Sequence, residues 1–593
     1  MGGKLLAFHP EKTIILAGAG ISMKEPALLP GGKDLTEFCL KMAVGEDAAK
    51  RIQGIWREVS KMVAENSGFV YPFMRLEIIL DNVNKMERMI EGPRLLDGFI
   101  RFSERPGNVN HRLLYRLAQK KSIVLTTNFD TCIENSGGTE KWLEYRHGCS
   151  FVTATDGTGV YHLHGVAAQT EDLRYTLGAT LENIKDGIDP LLARYLVYKL
   201  EQSYDVIFVG YSGSDFFDIL PFFESLNLES ESRAVFFLHG TPDERERERA
   251  ERYIRGFKHR YILCGDTTEF LAGICPNGEW DESAECGGIE EAGGNGGSDD
   301  WKKAFQRIID SRSAQQQAVI RGQHLIRLTN QIGIRMDMVD DSWMDTLQCV
   351  TGFLKTQNLE QLFGSRPDIS ATILADLEST VEVMEALYPK EMSVIGREAR
   401  GLWDEVMRIR KNMISPSVAA GSMTIERLFQ IVEKGEVSPY NFNSATVYAM
   451  NRFAKASIRQ WLHDENDVEN NQRLDRLERG LRIMMGMPYH KYMYMSYYVT
   501  LLKLDSLILA IRRPDEDNFE NERRMFELVL EISNIGQLLK VYLNCFRKNR
   551  LLYQIKGEER YFLQAEAFYG IFERIAQITG MKIDSRENIM GID

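Results

Sequence analysis

The stretch Thr13-Ile14-Ile15-Leu16-Ala17-Gly18-Ala19-Gly20-Ile21-Ser22 decides the fold. A β-branched apolar run of this kind reads as a buried strand, and the glycines after it as a tight turn into a helix. Strand, glycine turn and helix in that order open a doubly wound α/β domain, in which helices cover both faces of a mostly parallel sheet. At such a turn Gly18 and Gly20 let the backbone approach a pyrophosphate, while the N–H groups and dipole of a helix start favour its negative charge. Met23 replaces the third glycine of the usual dinucleotide fingerprint, so this segment alone specifies no more than a turn.

Working outward, three further apolar runs end in small or polar residues. Ser122-Ile123-Val124-Leu125 leads into Thr126-Thr127-Asn128-Phe129-Asp130, Gly159-Val160-Tyr161 into His162-Leu163-His164-Gly165, and Asp205-Val206-Ile207-Phe208-Val209 into Gly210-Tyr211-Ser212-Gly213-Ser214-Asp215. Open parallel sheets bind ligands beyond the carboxyl ends of their strands, so these residues are expected around one crevice. Asn128 and Asp130 bring an amide and a carboxylate suited to ribose hydroxyls. His164 brings a ring that titrates near neutrality, and Gly165 leaves room beside it. Gly210 and Ser212 suit phosphate or ribose, and Asp215 reads either as a ribose contact or as a helix N-cap. Val235-Phe236-Phe237-Leu238 forms one more strand and ends in a second H-G pair, His239-Gly240. His162 lies two residues from His164, on the same strand face, and reads as structural support.

The order G-A-G-x-S, T-x-N-x-D, H-G, G-x-S resembles that of the sirtuin (SIR2) superfamily. Pro106-Gly107-Asn108-Val109-Asn110-His111-Arg112-Leu113-Leu114 is similar to the helix that precedes the second motif in many sirtuins. The resemblance implies a SIR2-type Rossmann-like domain with NAD as its ligand. It puts Gly18, Ala19, Gly20, Ile21, Ser22, Thr127, Asp130, Gly210, Tyr211, Ser212, Asp215 and His239 against the dinucleotide, and Asn128 and His164 at the reacting bond.

The departures from the family narrow the resemblance. Protein-deacylating sirtuins carry a structural zinc module, two C-x-x-C pairs, between the H-G and G-x-S segments. This chain has no cysteine from Val166 to Val209, and none of its eight cysteines forms a C-x-x-C, so no zinc or other metal is expected. Met23 to Leu35 lacks the Asp-Phe-Arg that deacylating members place near the acyl-lysine, and carries Leu29-Pro30-Gly31-Gly32 instead. In these respects the chain resembles the SIR2-like NAD hydrolases of prokaryotic antiphage defence. That implies an effector cleaving NAD to nicotinamide and ADP-ribose when a phage-derived or nucleotide signal arrives, working as a homo-oligomer or with a co-encoded partner. An NAD-dependent protein deacylase and a non-catalytic nucleotide-binding module are the alternatives.

Composition sets outer bounds. A chain of 593 residues implies more than one domain, and 44% hydrophobic residues suffice for sizeable cores. The 85 acidic against 72 basic residues give a net charge of -13, which argues against general adhesion to nucleic acid and leaves it at most an indirect partner. No secretory or myristoylation signal is evident, and the most lipid-like stretch, Met493 to Ile511, is interrupted by Lys503 and Asp505. The irregularly spaced cysteines suit a reducing compartment, so a cytoplasmic protein without a membrane span is expected.

Periodicity divides the chain into an NAD-binding domain over 1–277, with a helical insertion or cap over 36–105, a glycine- and acid-rich linker over 278–300, and an all-α domain over 301–593. In the last, helices are expected at Phe305 to Ile334, Ile373 to Leu387, Arg397 to Met413, Ala445 to Leu462 and Phe526 to Phe546. This domain is expected to serve regulation, sensing or oligomerisation. The basic residues Arg547, Lys548, Arg550, Lys556 and Arg560 read as a solvated helix surface, with a phosphate-binding patch for nucleic acid or a nucleotide signal as the alternative.

Overall fold

A computed structural model describes residues 8–67, 74–87, 94–137, 144–146, 159–167, 177, 187–213, 215, 219–275, 300–365, 367–413, 430, 434, 444–464, 467–485, 492–515 and 519–581. They fall into two compact units, one drawn from 1–39 and 76–317, the other from 40–75 and 318–593. The stretch 278–299 of the expected linker lies outside the described residues.

The first unit is built on a parallel sheet. Its strands are β1 (Thr13–Ala17), β2 (Ile123–Thr126), β3 (Glu144–Arg146), β4 (Gly159–His162), β5 (Asp205–Val209), β6 (Arg233–His239) and β7 (His259–Gly265). They lie in the order β3-β4-β2-β1-β5-β6-β7, every pair parallel. β1, β2 and β5 are buried throughout, as continuous apolar runs in a doubly covered sheet must be. One face packs Ile15, Val124, Ile207 and Val235 against Leu114, Leu117 and Leu271 of the flanking helices Val109–Gln119 and Thr267–Ile274. On the other, Phe208 stacks on Phe236 at 5.0 Å and meets Phe223 and Tyr253 edge-on.

The chain leaves β1 toward β2 and β4, then returns to β1's other side with β5. That reversal creates the crevice at which doubly wound sheets bind ligands. The register brings the strand ends level: Ala17 pairs with Thr126 and Val209, and Thr126 with His162. Pairing continues one residue beyond, through Gly18 N to Val209 O, Thr127 N to Ala17 O and Leu163 N to Thr126 O.

The region between β1 and β2 is largely helical, with Gly32–Val44, Glu46–Ser67, Leu76–Glu87 and the 3-10 turns of Leu95–Phe102. Helix Asp300–Asp310 belongs to the first unit, where Trp301 and Phe305 join Phe38, Phe99 and Phe102 in an edge-to-face aromatic cluster.

Among the described residues the second unit is helical and contains no strand. Two expected helices are each broken in two. The first becomes Asp300–Asp310 and Ala314–Ile332, because Ser313 and Gln316 form a reciprocal cap, Ser313 N donating to Gln316 Oε1 and Gln316 N to Ser313 Oγ. The other becomes Phe519–Glu531 and Ile535–Lys556, because Ser533 takes a φ of 50° and Asn534 Oδ1 accepts from Gln537 N as an N-cap. Among the described residues no helix is long and apolar enough to cross a membrane.

Candidate active site at the strand ends

The first motif does not enter an α-helix. After β1 the chain makes a single 3-10 turn, Ala19–Ser22, and resumes as an α-helix only at Gly32. Pro26 and Pro30 lie in between, and proline offers no N–H for a helical ladder. The N–H groups expected to face a pyrophosphate are also engaged, Gly18 with Val209 O, Gly20 with Gly210 O and Ile21 with Gly18 O. The glycines have a different use here. A Cβ on Gly20 would stand 2.8 Å from Gly210 O, and one on Gly210, whose φ is +58°, would stand 2.7 Å from Ile21 N. Glycine on both sides lets the exits of β1 and β5 lie backbone to backbone. Ala19 is half-buried and Gly20 exposed at this crossing.

The crossing delivers Ser22 to a buried polar cluster. Asn128 Nδ2 donates to Ser22 Oγ at 3.0 Å, and Ser22 Oγ donates to Asp130 Oδ2 at 3.0 Å. His111 Nε2 lies 2.9 Å from the same hydroxyl. Asn108 N donates to His111 Nδ1, which leaves the neutral ring's proton on Nε2 and makes it the donor to Ser22. Burial lowers the His111 pKa against the smaller opposing pull of Asp130, in keeping with a neutral ring. Asp130 Oδ1 accepts from Cys132 N at 3.0 Å. Asn108 caps helix Val109–Gln119 and holds the Ser22 loop from below, its Nδ2 donating to Ile21 O and Lys24 O.

This arrangement fixes the orientation of Asn128. Its backbone N–H donates to Thr126 Oγ1, its Nδ2 is held by Ser22, and its Oδ1 is buried without a hydrogen-bond partner. Its carbonyl faces His162 Nδ1 at 3.2 Å. The other nitrogen of His162 faces Glu134 Oε1 at 2.5 Å. Burial, the largest influence, disfavours a charged His162 ring, but Glu134 and the Asn128 carbonyl together outweigh it and raise the pKa. With an acceptor on each nitrogen, His162 is a doubly donating imidazolium that braces the Asn128 backbone.

His164 follows in the turn closed by Gly165 N to His162 O, where Gly165 takes a φ of +74°. The turn is tied to the second motif through Leu163 N to Thr126 O and Ala167 N to Phe129 O, and the His164 and Phe129 rings lie 6.5 Å apart. Asn128 and His164 are both buried, on adjacent strand exits.

The remaining expected residues take varied positions. Thr127 is half-buried, its N–H on Ala17 O. Tyr211 is buried in the aromatic face, its hydroxyl bonded to Asp215 and 3.1 Å from Tyr253 Oη, while Ser212 is exposed beside it. The Asp215 carboxylate is thus engaged by Tyr211. His239 is exposed at the end of β6, its Nδ1 3.1 Å from Thr267 Oγ1.

His111, Asp130 and Cys132 bring potential metal-ligand atoms within 4.8 Å of one another. The donors are otherwise engaged: His111 bonds Ser22, and the Cys132 thiol, its pKa pushed up by burial, donates to Arg105 O. His111 and Asn108 are the residues that motif reading underrates. Their signal was the Asn108-Val109-Asn110-His111 spacing, which is that of a capping box.

The family model described as SIR2-like domain matches residues 122–262. The match takes in the second, third and fourth motifs, with G-A-G-I-S on its N-terminal side, and supports the SIR2-like superfamily and an NAD-related function. No curated protein matches the chain.

Proposed function

We propose that the chain hydrolyses NAD at the bond between nicotinamide and ribose, releasing nicotinamide and ADP-ribose, and acts as an antiphage effector that depletes NAD when triggered. The observation that carries this reading is the Asn128 amide. Its Nδ2 is committed to Ser22 and its Oδ1 is buried without a partner, an arrangement that costs about 1–3 kcal/mol unless a ligand donor completes it. A ribose hydroxyl or an attacking water is such a donor, so the residues present fit the dinucleotide.

Cleavage passes through an oxocarbenium-like ribose, for which the protein must orient the sugar and supply a nucleophile. Asn128 Oδ1 holds the hydroxyl or water. His164 takes a proton from that water as its oxygen bonds the anomeric carbon, and the glycosidic electron pair leaves with nicotinamide. The edge made by half-buried Ala19 and exposed Gly20 and Ser212, with His239 beyond it, accommodates the rest of the dinucleotide. The all-α region 301–593 serves regulation, sensing and assembly, as a homo-oligomer or with a co-encoded protein, and restrains the reaction until a phage-derived or nucleotide signal arrives.

Chromatography of NAD incubated with the chain, with Asn128→Ala and with His164→Ala tests the site. Loss of nicotinamide release in both variants supports it, and full cleavage by both overturns it.

A further inference from the structure

Helix Asp300–Asp310 opens the helical half of the sequence but packs within the first unit, on the 3-10 turns of Leu95–Phe102. Trp301, Phe305, Ile308 and Ile309 follow helical spacing along it. Trp301 and Phe305 are buried, while Lys302, Lys303, Gln306 and Arg307 are exposed. Phe305 meets Phe99 at 5.2 Å and Trp301 meets Phe102 at 5.7 Å, both edge-on. A Cβ on Gly98 would stand 2.7 Å from the Phe305 ring, so glycine there lets the helix seat closely. Just past the end of the helix the seat is fastened by charge. Arg312 pairs with Glu87 at 2.9 Å, at 10% and 3% side-chain exposure, and the other oxygen of Glu87 accepts from Leu95 N, where the 3-10 turns begin.

The same 3-10 turns are joined to the candidate site in three ways. Phe99 meets Phe129 edge-on at 5.6 Å, and Phe129, next to Asn128 in the chain, has its ring 6.5 Å from that of His164. Just beyond the turns, Ser103 O accepts from Thr131 Oγ1 and from Asn135 Nδ2, each at 3.0 Å, and Arg105 O accepts from Asn135 Nδ2 and the Cys132 thiol. The Arg105 guanidinium donates to Ala27 O and Pro26 O, in the loop that follows Ser22. From Phe305 to Asn128 and His164 the path is therefore one of packed rings with hydrogen bonds beside it, the kind of connected network that carries coupling.

We infer that helix Asp300–Asp310 is a control strut of the NAD site. Seated through Phe305 and Trp301, it holds the 3-10 turns, and through them Asn128 and His164, in reacting geometry. The inference rests on the proposed NAD chemistry and deepens it, because it puts regulation of that site in one named helix. Phe305 and Trp301 are positioning residues. Displacing the helix switches cleavage off without altering any residue assigned to NAD. After three residues the helix continues into Ala314–Ile332, so a pull on that helix reaches the strut along the chain.

The test uses the full chain as wild type, Phe305→Ala, Trp301→Phe and Leu196→Ala, the last removing buried apolar surface from helix Pro190–Glu201 as a control for lost stability alone. Cleavage of NAD is measured per folded molecule, and tryptophan emission is followed during titration with ADP-ribose. Phe305→Ala is expected to unfold cooperatively and to lose about 10–100-fold in kcat, more than it changes KM, as displaced catalytic groups require. Leu196→Ala is expected to melt lower and keep its kcat. ADP-ribose is expected to shift wild-type emission, and the shift should be missing in Trp301→Phe, because coupling between two sites is reciprocal. A kcat in Phe305→Ala equal to or above wild type overturns the control role and leaves NAD cleavage standing, as does an emission shift that survives in Trp301→Phe or never occurs at saturating ADP-ribose. A wild type that neither binds ADP-ribose nor cleaves NAD overturns the proposed function itself, and this inference with it.

Discussion

Asn128 Nδ2 donates to Ser22 Oγ at 3.0 Å, joining residues 106 positions apart and leaving the amide's oxygen as the end without a protein partner. The hydroxyl accepts from two donors, Asn128 and His111, and donates to Asp130, so its hydrogen-bonding capacity is filled.

Ser22→Ala strands all three neighbours in a buried site. We expect a loss on the order of 1–3 kcal/mol in stability per stranded group, and a fall in NAD cleavage in the protein that remains folded, because Asn128 is then free to rotate. Denaturant unfolding and the rate per folded molecule measure the two effects. Wild-type values for both contradict the role assigned to the hydroxyl.

Gly20→Ala and Gly210→Ala each place a Cβ under 3 Å from backbone atoms of the other loop. Neither loop can yield without moving Ser22, so both variants are expected to lower the melting temperature and cleavage together. Strain of this kind costs about 1–3 kcal/mol, more at Gly210, where the left-handed backbone adds its own penalty. Adding the same methyl at Gly240, which shares a positive φ but has open space around its Cβ, isolates the backbone penalty from the clash.

His162 supplies a pH dependence of stability. Its pKa is raised in the folded chain, so its ion pair with Glu134 contributes fully below the ordinary histidine value of about 6.5 and is lost as pH rises through the raised value. Glu134→Gln is expected to reduce stability more at pH 6 than at pH 9. His111 works in the other direction. Its lowered pKa makes the folded state lose stability as pH falls below about 6.5, and comparing wild type with Glu134→Gln across pH separates the two. A constant difference between them from pH 6 to 9 contradicts the charged assignment of His162.

His164→Ala is expected to slow cleavage by about 10²–10⁴-fold, the range of a lost general base, without the stability loss of the Ser22 variant. Activity against pH is the decisive readout, since the wild-type limb that reports deprotonation of the base should vanish in the variant. An unchanged limb assigns the base elsewhere.

The sheet was legible because its central strands are short apolar runs stopping abruptly at small or polar residues, and the four strand exits that carry Ser22, Asn128, His164 and Gly210 stand out for that reason. The edge strand Glu144–Arg146 has no such run and gave no signal. The use of the glycines was not legible either. Sequence shows that Gly20 and Gly210 are small, but only the pairing of β1 with β5 shows that each makes room for the other. The bond between His111 and Ser22 spans 89 positions and follows no periodicity. Helix breaks at Ser313 and Ser533 escaped because apolar spacing continues across them, while the caps that end the helices are single side-chain bonds.

The most direct measurement incubates the purified chain and Asn128→Ala with NAD, with and without an acetyl-lysine peptide, in buffer and in lysate of phage-infected cells, and quantifies nicotinamide, ADP-ribose and acetyl-ADP-ribose. Nicotinamide and ADP-ribose are expected in equal amounts without peptide, and neither from an Asn128→Ala protein that unfolds cooperatively. Acetyl-ADP-ribose that appears only with peptide, undiminished cleavage by Asn128→Ala, or no cleavage by the wild type in either medium would overturn NAD hydrolysis at this site.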